Sequence, residues 1–159
     1  MNTESLQSSG YVAEHIVVLE SHIDHLTGEE LGHAFDRLLE AGALDVLWMP
    51  GIMKKNRPGG ALRAICLPEK EDAVLAAFFR HTHTLGIRRM CMERLILPRR
   101  DGGHDVDGNM LRAKCYTLEG EEYARPEYEA LAKEAERRGV GLPALRSGRK
   151  KKGECSGLP

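Results

Sequence analysis

The order in which apolar periodicity changes along the chain limits the possible fold more than any other feature. "HIVVLESHID" (residues 15–24) is rich in β-branched residues and reads as a buried strand that turns polar at its end. Thr27 and Glu30 then make a capping box, and Leu31, Ala34, Phe35, Leu38 and Leu39 recur at helical spacing up to Gly42. "LDVLWMPGIM" (44–53), with Leu44, Val46 and Trp48 on one face, and "GALRAICL" (60–67) predict two further strands. A second helix is expected from Pro68, with Ala73, Val74, Ala77 and Phe78 on its apolar side; "GIRRMCMERLIL" (86–97) predicts a fourth strand. This β-α-β-β-α-β order is that of the split βαβ arrangement. The expected fold class is therefore α+β, ferredoxin-like, an antiparallel sheet with both helices on one face.

Beyond Leu97, "PRRDGGHDVDGN" is expected to be turn-rich, Met110–Leu118 to form a strand, and Pro126–Arg138 a helix ended by Gly139. The expected organisation is a core over residues 15–99, a C-terminal strand/helix extension of the same domain over 100–146, and a basic disordered tail over 147–159. With 159 residues and 42% hydrophobic content, the chain has room for one compact core. A net charge of -1 argues against global attraction to nucleic acid or membrane. The polar start "MNTESLQSSG" has no signal-peptide pattern and no apolar run approaches membrane-spanning length, so a cytoplasmic protein is expected. Cys66, Cys91 and Cys115 show no CxxC pairing and fall in strand-like apolar segments, where a thiol acts as a small buried hydrophobe. Cys155 lies in the expected tail.

Topology predicts where the polar loops go. In a split βαβ fold the first two strands run parallel and the other two run against them. "ESHIDH" (20–25), "MKKNRPGG" (53–60) and "HTHTLGIRR" (81–89) are then expected on one rim. That rim would gather Glu20 and Asp24, the imidazoles of His22, His25, His81 and His83, the hydroxyls of Thr82 and Thr84, and the cations Lys54, Lys55, Arg57, Arg88 and Arg89. Carboxylates hold a divalent ion through oxygen, and Lys and Arg neutralise phosphate oxygens, so the set suits a metal-bound nucleotide or another polyphosphate. Gly59, Gly60 and Gly86 would permit close backbone approach to a ligand. Each feature alone has a plainer role: hairpin cations guard a sheet edge, Pro58-Gly59 is turn chemistry, and His81 and His83 can end a helix favourably as cations. Their meeting is what favours a ligand.

"ESHIDHLTGEELGHAFDRLLEAGALDVLWMPGIMKKNRPGG", followed by "HTHTLGIRR", "ERLILPR" and "RPEYEALAKEA", strongly resembles the C-terminal domain of the nickel insertion proteins that mature the nickel-pincer cofactor of lactate racemase. The likeness spans Val17 to Leu145. It implies a CTP-dependent nickel chelatase, a lyase that consumes metal-bound CTP to CMP and pyrophosphate while nickel enters a pyridinium-3,5-bisthiocarboxylic acid mononucleotide. It also implies a homo-oligomer, with CTP and Mg or Mn as cofactors. On this resemblance Lys54, Lys55, Asn56, Arg57, Thr84, Gly86 and Arg88 are the candidate CTP-binding residues, and Asp24, with Glu20 or His22, holds the divalent ion. No catalytic nucleophile is assigned, because positioning and charge neutralisation suffice for phosphoryl chemistry. Where the family's first motif reads E-T-N-I-D-D-M, this chain has His22 and His25 in place of an amide and a carboxylate. The family's long, histidine-bearing N-terminal part is not in this sequence, so the chain is expected to be the C-terminal half of a split protein, an excised domain or a stand-alone relative, a separate N-terminal metal-binding subunit being the partner in the first case. Two other readings are a non-catalytic nucleotide-sensing or assembly module and a nickel-holding accessory protein. CMP release separates the first from the enzyme, and nickel binding without nucleotide separates the second.

Overall fold

A computed structural model describes residues 10–147. They form two compact units, Ala13–Arg94 and a second unit that takes the residues from Leu95 onward with those before Ala13. Residues 148–159 of the expected tail, Cys155 among them, lie outside the described residues.

The first unit has the expected element order: β1 (Val12–Ile23), α1 (Gly28–Glu40), β2 (Asp45–Met53), β3 (Arg57–Cys66), α2 (Glu71–Thr82) and β4 (Arg88–Ile96). Its four strands lie in the order β2-β3-β1-β4, with β3 antiparallel to both β1 and β2. The ion pairs Glu14–Arg94 and Glu20–Arg88 run in opposite sense along β1 and β4, so these are antiparallel too. That is the ferredoxin-like sheet. Burial alternates strictly along β3, where Leu62, Ala64 and Cys66 turn inward. They meet Val17, Leu19 and Ile23 of β1, Leu38 of α1, and Val74 and Phe78 of α2 in one core. Burying side chains as large as Phe78 and Leu19 stabilises the fold by about 1.5–3 kcal/mol each. Thr27 caps α1 as expected: its hydroxyl accepts from the Glu30 amide at 3.2 Å, and the Thr27 amide donates to the Glu30 carboxylate at 2.8 Å.

Three expectations change here. Leu44 is exposed and precedes β2, whose inward residues are Val46 and Trp48. Pro68 opens a short 3₁₀ turn, and the α-helix begins at Glu71. Cys91 is exposed, because β4 is an edge strand with little burial on either face.

The second unit is a meander of β5 (Arg99–Val106), β6 (Asn109–Leu118) and β7 (Glu121–Pro126), followed by α3 (Tyr128–Arg138) and α4 (Leu142–Ser147). The segment expected to be turn-rich is therefore mostly strand. Two-residue loops, Asp107-Gly108 and Glu119-Gly120, join the strands, and all four residues have positive φ, the geometry that matches strand twist in a tight hairpin. Leu111 packs with Leu131, Ala135 and Leu145 in a second core. The buried Glu134 carboxylate beside it accepts from Asn109, Arg137 and Arg138. Arg138 also donates to the Val106 carbonyl at 2.7 Å and pairs with Asp107, tying the first hairpin loop to α3.

Candidate functional site

The three polar segments of the first unit do converge. A cavity of about 530 Å³ is walled by His22, Asp24 and His25 from the end of β1 and by His83, Thr84 and Arg88 from the approach to β4. A second cavity, of about 580 Å³, lies between His22, Met53, Lys54 and Gly60. His22 borders both. Arg57, where the 3₁₀ turn Lys54–Asn56 meets β3, donates to the Asp24 carboxylate at 3.1 Å and so joins the hairpin to the end of β1.

Hydroxyl bonding holds the approach to β4 against β1. Ser21 faces inward and is 2% exposed, so its hydroxyl must find partners inside. Its single proton goes to the Gly86 carbonyl at 2.7 Å, which leaves the Thr84 hydroxyl to donate to Ser21 Oγ at 2.6 Å. Thr82 donates to the Phe78 carbonyl, and His25 Nε2 donates to the Thr82 carbonyl, both at 2.7 Å. His83 closes α2 in the left-handed region, with φ 51°, which turns the chain from helix into this wall.

Several charges on the rim are already paired. The Glu20 carboxylate receives Arg63 at 2.5 and 2.9 Å and Arg88 at 3.1 Å. The Arg63 hydrogen bonds hold its pKa below the usual carboxylate value against the opposing effect of burial, with Arg88 adding to the shift. Asp24 lies between Arg57 at 3.1 Å and His25 Nδ1 at 3.8 Å. Lys54, Lys55 and Asn56 are exposed at the turn; Lys55 and Asn56 hold φ 62° and 58°, a left-handed backbone that asparagine adopts readily and that costs a lysine about 1–2 kcal/mol.

Several expected members of the rim are elsewhere. Arg89 is on the opposite side of its strand from Arg88 and is engaged by Glu71 at the start of α2. His81 leaves the rim and meets His33 of α1 edge-on at 5.4 Å. Burial, then the neighbouring His33 and Arg80, push its pKa down, so it does not end the helix as a favoured cation. Gly59 and Gly60 are pressed against the chain itself: a Cβ at Gly59 would lie 2.5 Å from the Ile23 carbonyl oxygen, and one at Gly60 2.3 Å from that of Met49. Gly86 alone of the three has open space beside it. Among the described residues, no group of three or more His, Cys, Asp or Glu side chains is arranged to hold a metal ion. Ser21 and Arg63 were not expected, although a serine in the inward register of Val17, Leu19 and Ile23 was a signal that the strand's end carried a polar tie.

Comparison with known proteins identifies the family and matches the fold. Residues 4–146 match the family model described as nickel insertion protein. A pyridinium-3,5-bisthiocarboxylic acid mononucleotide nickel insertion protein of Alkaliphilus metalliredigens is 40% identical over 125 residues, which is 79% of this chain and 30% of that protein. A putative nickel insertion protein of Methanothermobacter thermautotrophicus is 46% identical over 104 residues, 64% of this chain and 25% of that protein. The chain thus spans about a third or less of the length of these relatives. Among solved structures, the apo C-terminal domain of a cyclometallase involved in synthesis of the NPN cofactor of lactate racemase superposes with TM-score 0.78 at 28% identity, over 86% of this chain and 94% of that one. A Methanopyrus kandleri protein shares the fold, with TM-score 0.59 at 20% identity over 94% of this chain and 99% of its own. No helix among the described residues is long and apolar enough to cross a membrane. From the motifs through the fold to these matches the same conclusion follows: the chain belongs to the nickel insertion protein family.

Proposed function

We propose that this chain is the CTP-binding C-terminal part of a nickel insertase whose substrates are nickel and pyridinium-3,5-bisthiocarboxylic acid mononucleotide. The observation that carries the reading is the contact of Arg57 with Asp24, which brings the cationic hairpin to the carboxylate end of β1 beside Thr84 and Arg88. Arg57 is 54% and Asp24 21% exposed, so the pair contributes under about 1 kcal/mol and is easily exchanged. A metal-bound triphosphate would take both halves, phosphate oxygens going to Arg57, Lys54 and Lys55 and the Mg or Mn ion to Asp24, a hard oxygen donor. Glu20, fixed by two guanidiniums, serves in this reading to aim Arg88. His22 borders both cavities and stands where it can reach the nucleotide or its metal. The strained backbone of Lys55 fits a turn kept for binding.

The bound ion and the cations would neutralise charge as CTP passes to CMP and pyrophosphate; the protein holds and aligns the phosphates and needs no covalent intermediate. On the same reading the chain assembles as a homo-oligomer and works with an N-terminal metal-binding part, in the same polypeptide or separate. Incubating the protein with CTP and manganese tests the proposal. CMP release, and a Lys55→Ala variant with at least about fivefold weaker CTP affinity at unchanged Tm, are expected. Saturable CTP binding without turnover would convert the reading to a sensing module; an unchanged CTP affinity in Lys55→Ala rejects the site.

A further inference from the structure

The face of the β5-β6-β7 sheet turned away from Leu111 and its core carries an ordered array. Antiparallel register places Arg99, Tyr116 and Tyr123 in one row and Asp101, Lys114 and Arg125 in the next. The Tyr116 and Tyr123 rings are stacked, with centroids 5.5 Å apart and planes 15° from parallel. A cavity of about 430 Å³ lies beside Tyr116, bounded by Arg99, Lys114, Tyr116, Arg125, Glu127 and Tyr128. All six belong to the second unit, and none to the rim described above.

The charges here are unequally committed. Lys114 is held by Asp101 and, at 3.2 Å, by Glu127. Arg99 and Arg125 are both exposed and make no ion pair among the described residues. A cross-strand tyrosine stack stabilises a hairpin unaided, but here it is bordered by two exposed arginines outside any ion pair, Arg99 acting on Asp101 only at a distance, and by the open, 65% exposed Tyr128. Aromatic faces bordered by guanidinium forks suit a planar ring that bears anionic groups. The volume falls in the range of about 300–1,000 Å³ usual for small-molecule sites.

We infer that this cavity is the seat of the pyridinium mononucleotide, with its ring on Tyr116 and its acidic and phosphate groups on Arg99 and Arg125. The ligand's class, an anionic aromatic mononucleotide, comes from the cavity; its identity as the nickel acceptor rests on the function proposed above. An electron-poor, cationic ring is attracted to a phenol face, and a phosphate of about −1.5 to −2 charge answers the arginines. The triphosphate and the nickel acceptor then occupy different units of one chain.

Calorimetric titration of the full chain with nicotinic acid mononucleotide, a pyridinium carboxylate nucleotide, without metal or CTP, tests this. Saturable binding is expected, weakened at least about tenfold in Tyr116→Leu and in Arg125→Ala, within about threefold of wild type in Tyr116→Phe, and unchanged in Lys55→Ala. Absence of saturable binding overturns the inference. So does loss in Lys55→Ala with retention in Tyr116→Leu and Arg125→Ala, which would move the ligand to the rim. Tighter binding of CMP than of the probe at this cavity would assign it to the cytidine product and overturn it as well. Arg125 is exposed and Tyr116→Phe keeps the ring, so both variants are expected to fold. CTP turnover is read in a separate assay, so failure of the proposed function and failure of this site are distinguishable.

Discussion

Ser21 shows how one hydroxyl can set a site. It sits among apolar neighbours on the inward side of β1, and bonds to Thr84 and Gly86 fasten the wall of the 530 Å³ cavity. Removing it leaves a buried Thr84 hydroxyl whose remaining acceptor is the Gly86 carbonyl at 3.3 Å, and such losses cost about 1–2 kcal/mol. Ser21→Ala should therefore lower Tm by several degrees and speed amide exchange of residues 84–86 relative to those of β3; a Tm equal to wild type would show that the tie is dispensable. At this scale the sequence displayed residue types but not partners. Charge sign and spacing brought Arg57 and Asp24 to the same rim, yet nothing in one chain's letters says that they touch, that Glu20 is clamped by Arg63, or that Arg89 turns to Glu71.

Among the elements, the β2-β3 hairpin is closely packed at Gly60. Gly60 is buried opposite Pro50, and an added methyl would strike the Met49 carbonyl and the Trp48 ring, the latter at 2.8 Å. Neither neighbour is free to give, so Gly60→Ala should destabilise the protein by about 1–3 kcal/mol and displace Lys54, with the loss in CTP affinity exceeding that of a surface control such as Gly32→Ala. Equal Tm in the two variants would contradict the close approach. Elements of the first unit were legible because strong periodicity, a capping box and one apolar face per helix all pointed one way. β5 was not: "RRDGGHDV" has no apolar alternation, and Gly102 and Gly103 supply its buried positions. Its hairpin was nevertheless signalled by Asp107-Gly108, a dipeptide suited to the positive φ values found there. Cys91 is exposed rather than buried, and apolar content in a strand does not reveal whether that strand lies at an edge.

For the molecule as a whole, the carboxylates decide the response to acid. Hydrogen bonds from Arg137, joined by Arg138, lower the pKa of Glu134 from 4.5 to about 2, while Arg63 lowers that of Glu20 and Lys114 that of Asp101. A carboxylate lowered in the folded state stabilises it above the unfolded value, and that contribution is lost as pH falls toward the folded value. Thermal stability should thus hold above about pH 5 and decline from about pH 4.5 downward; Glu134→Gln should be less stable at neutral pH and show a shallower decline between pH 4.5 and 2. Parallel Tm profiles for the two proteins would refute the assignment. The same self-pairing has another consequence at Asp24 and Arg57. A free phosphate can claim the guanidinium yet strands the carboxylate, and a lone cation does the reverse. Because the pair is exposed, either mismatch costs under about 1 kcal/mol, so on the function proposed above the rim would favour a cation and phosphates arriving together by at most about fivefold, a mild preference that added salt weakens.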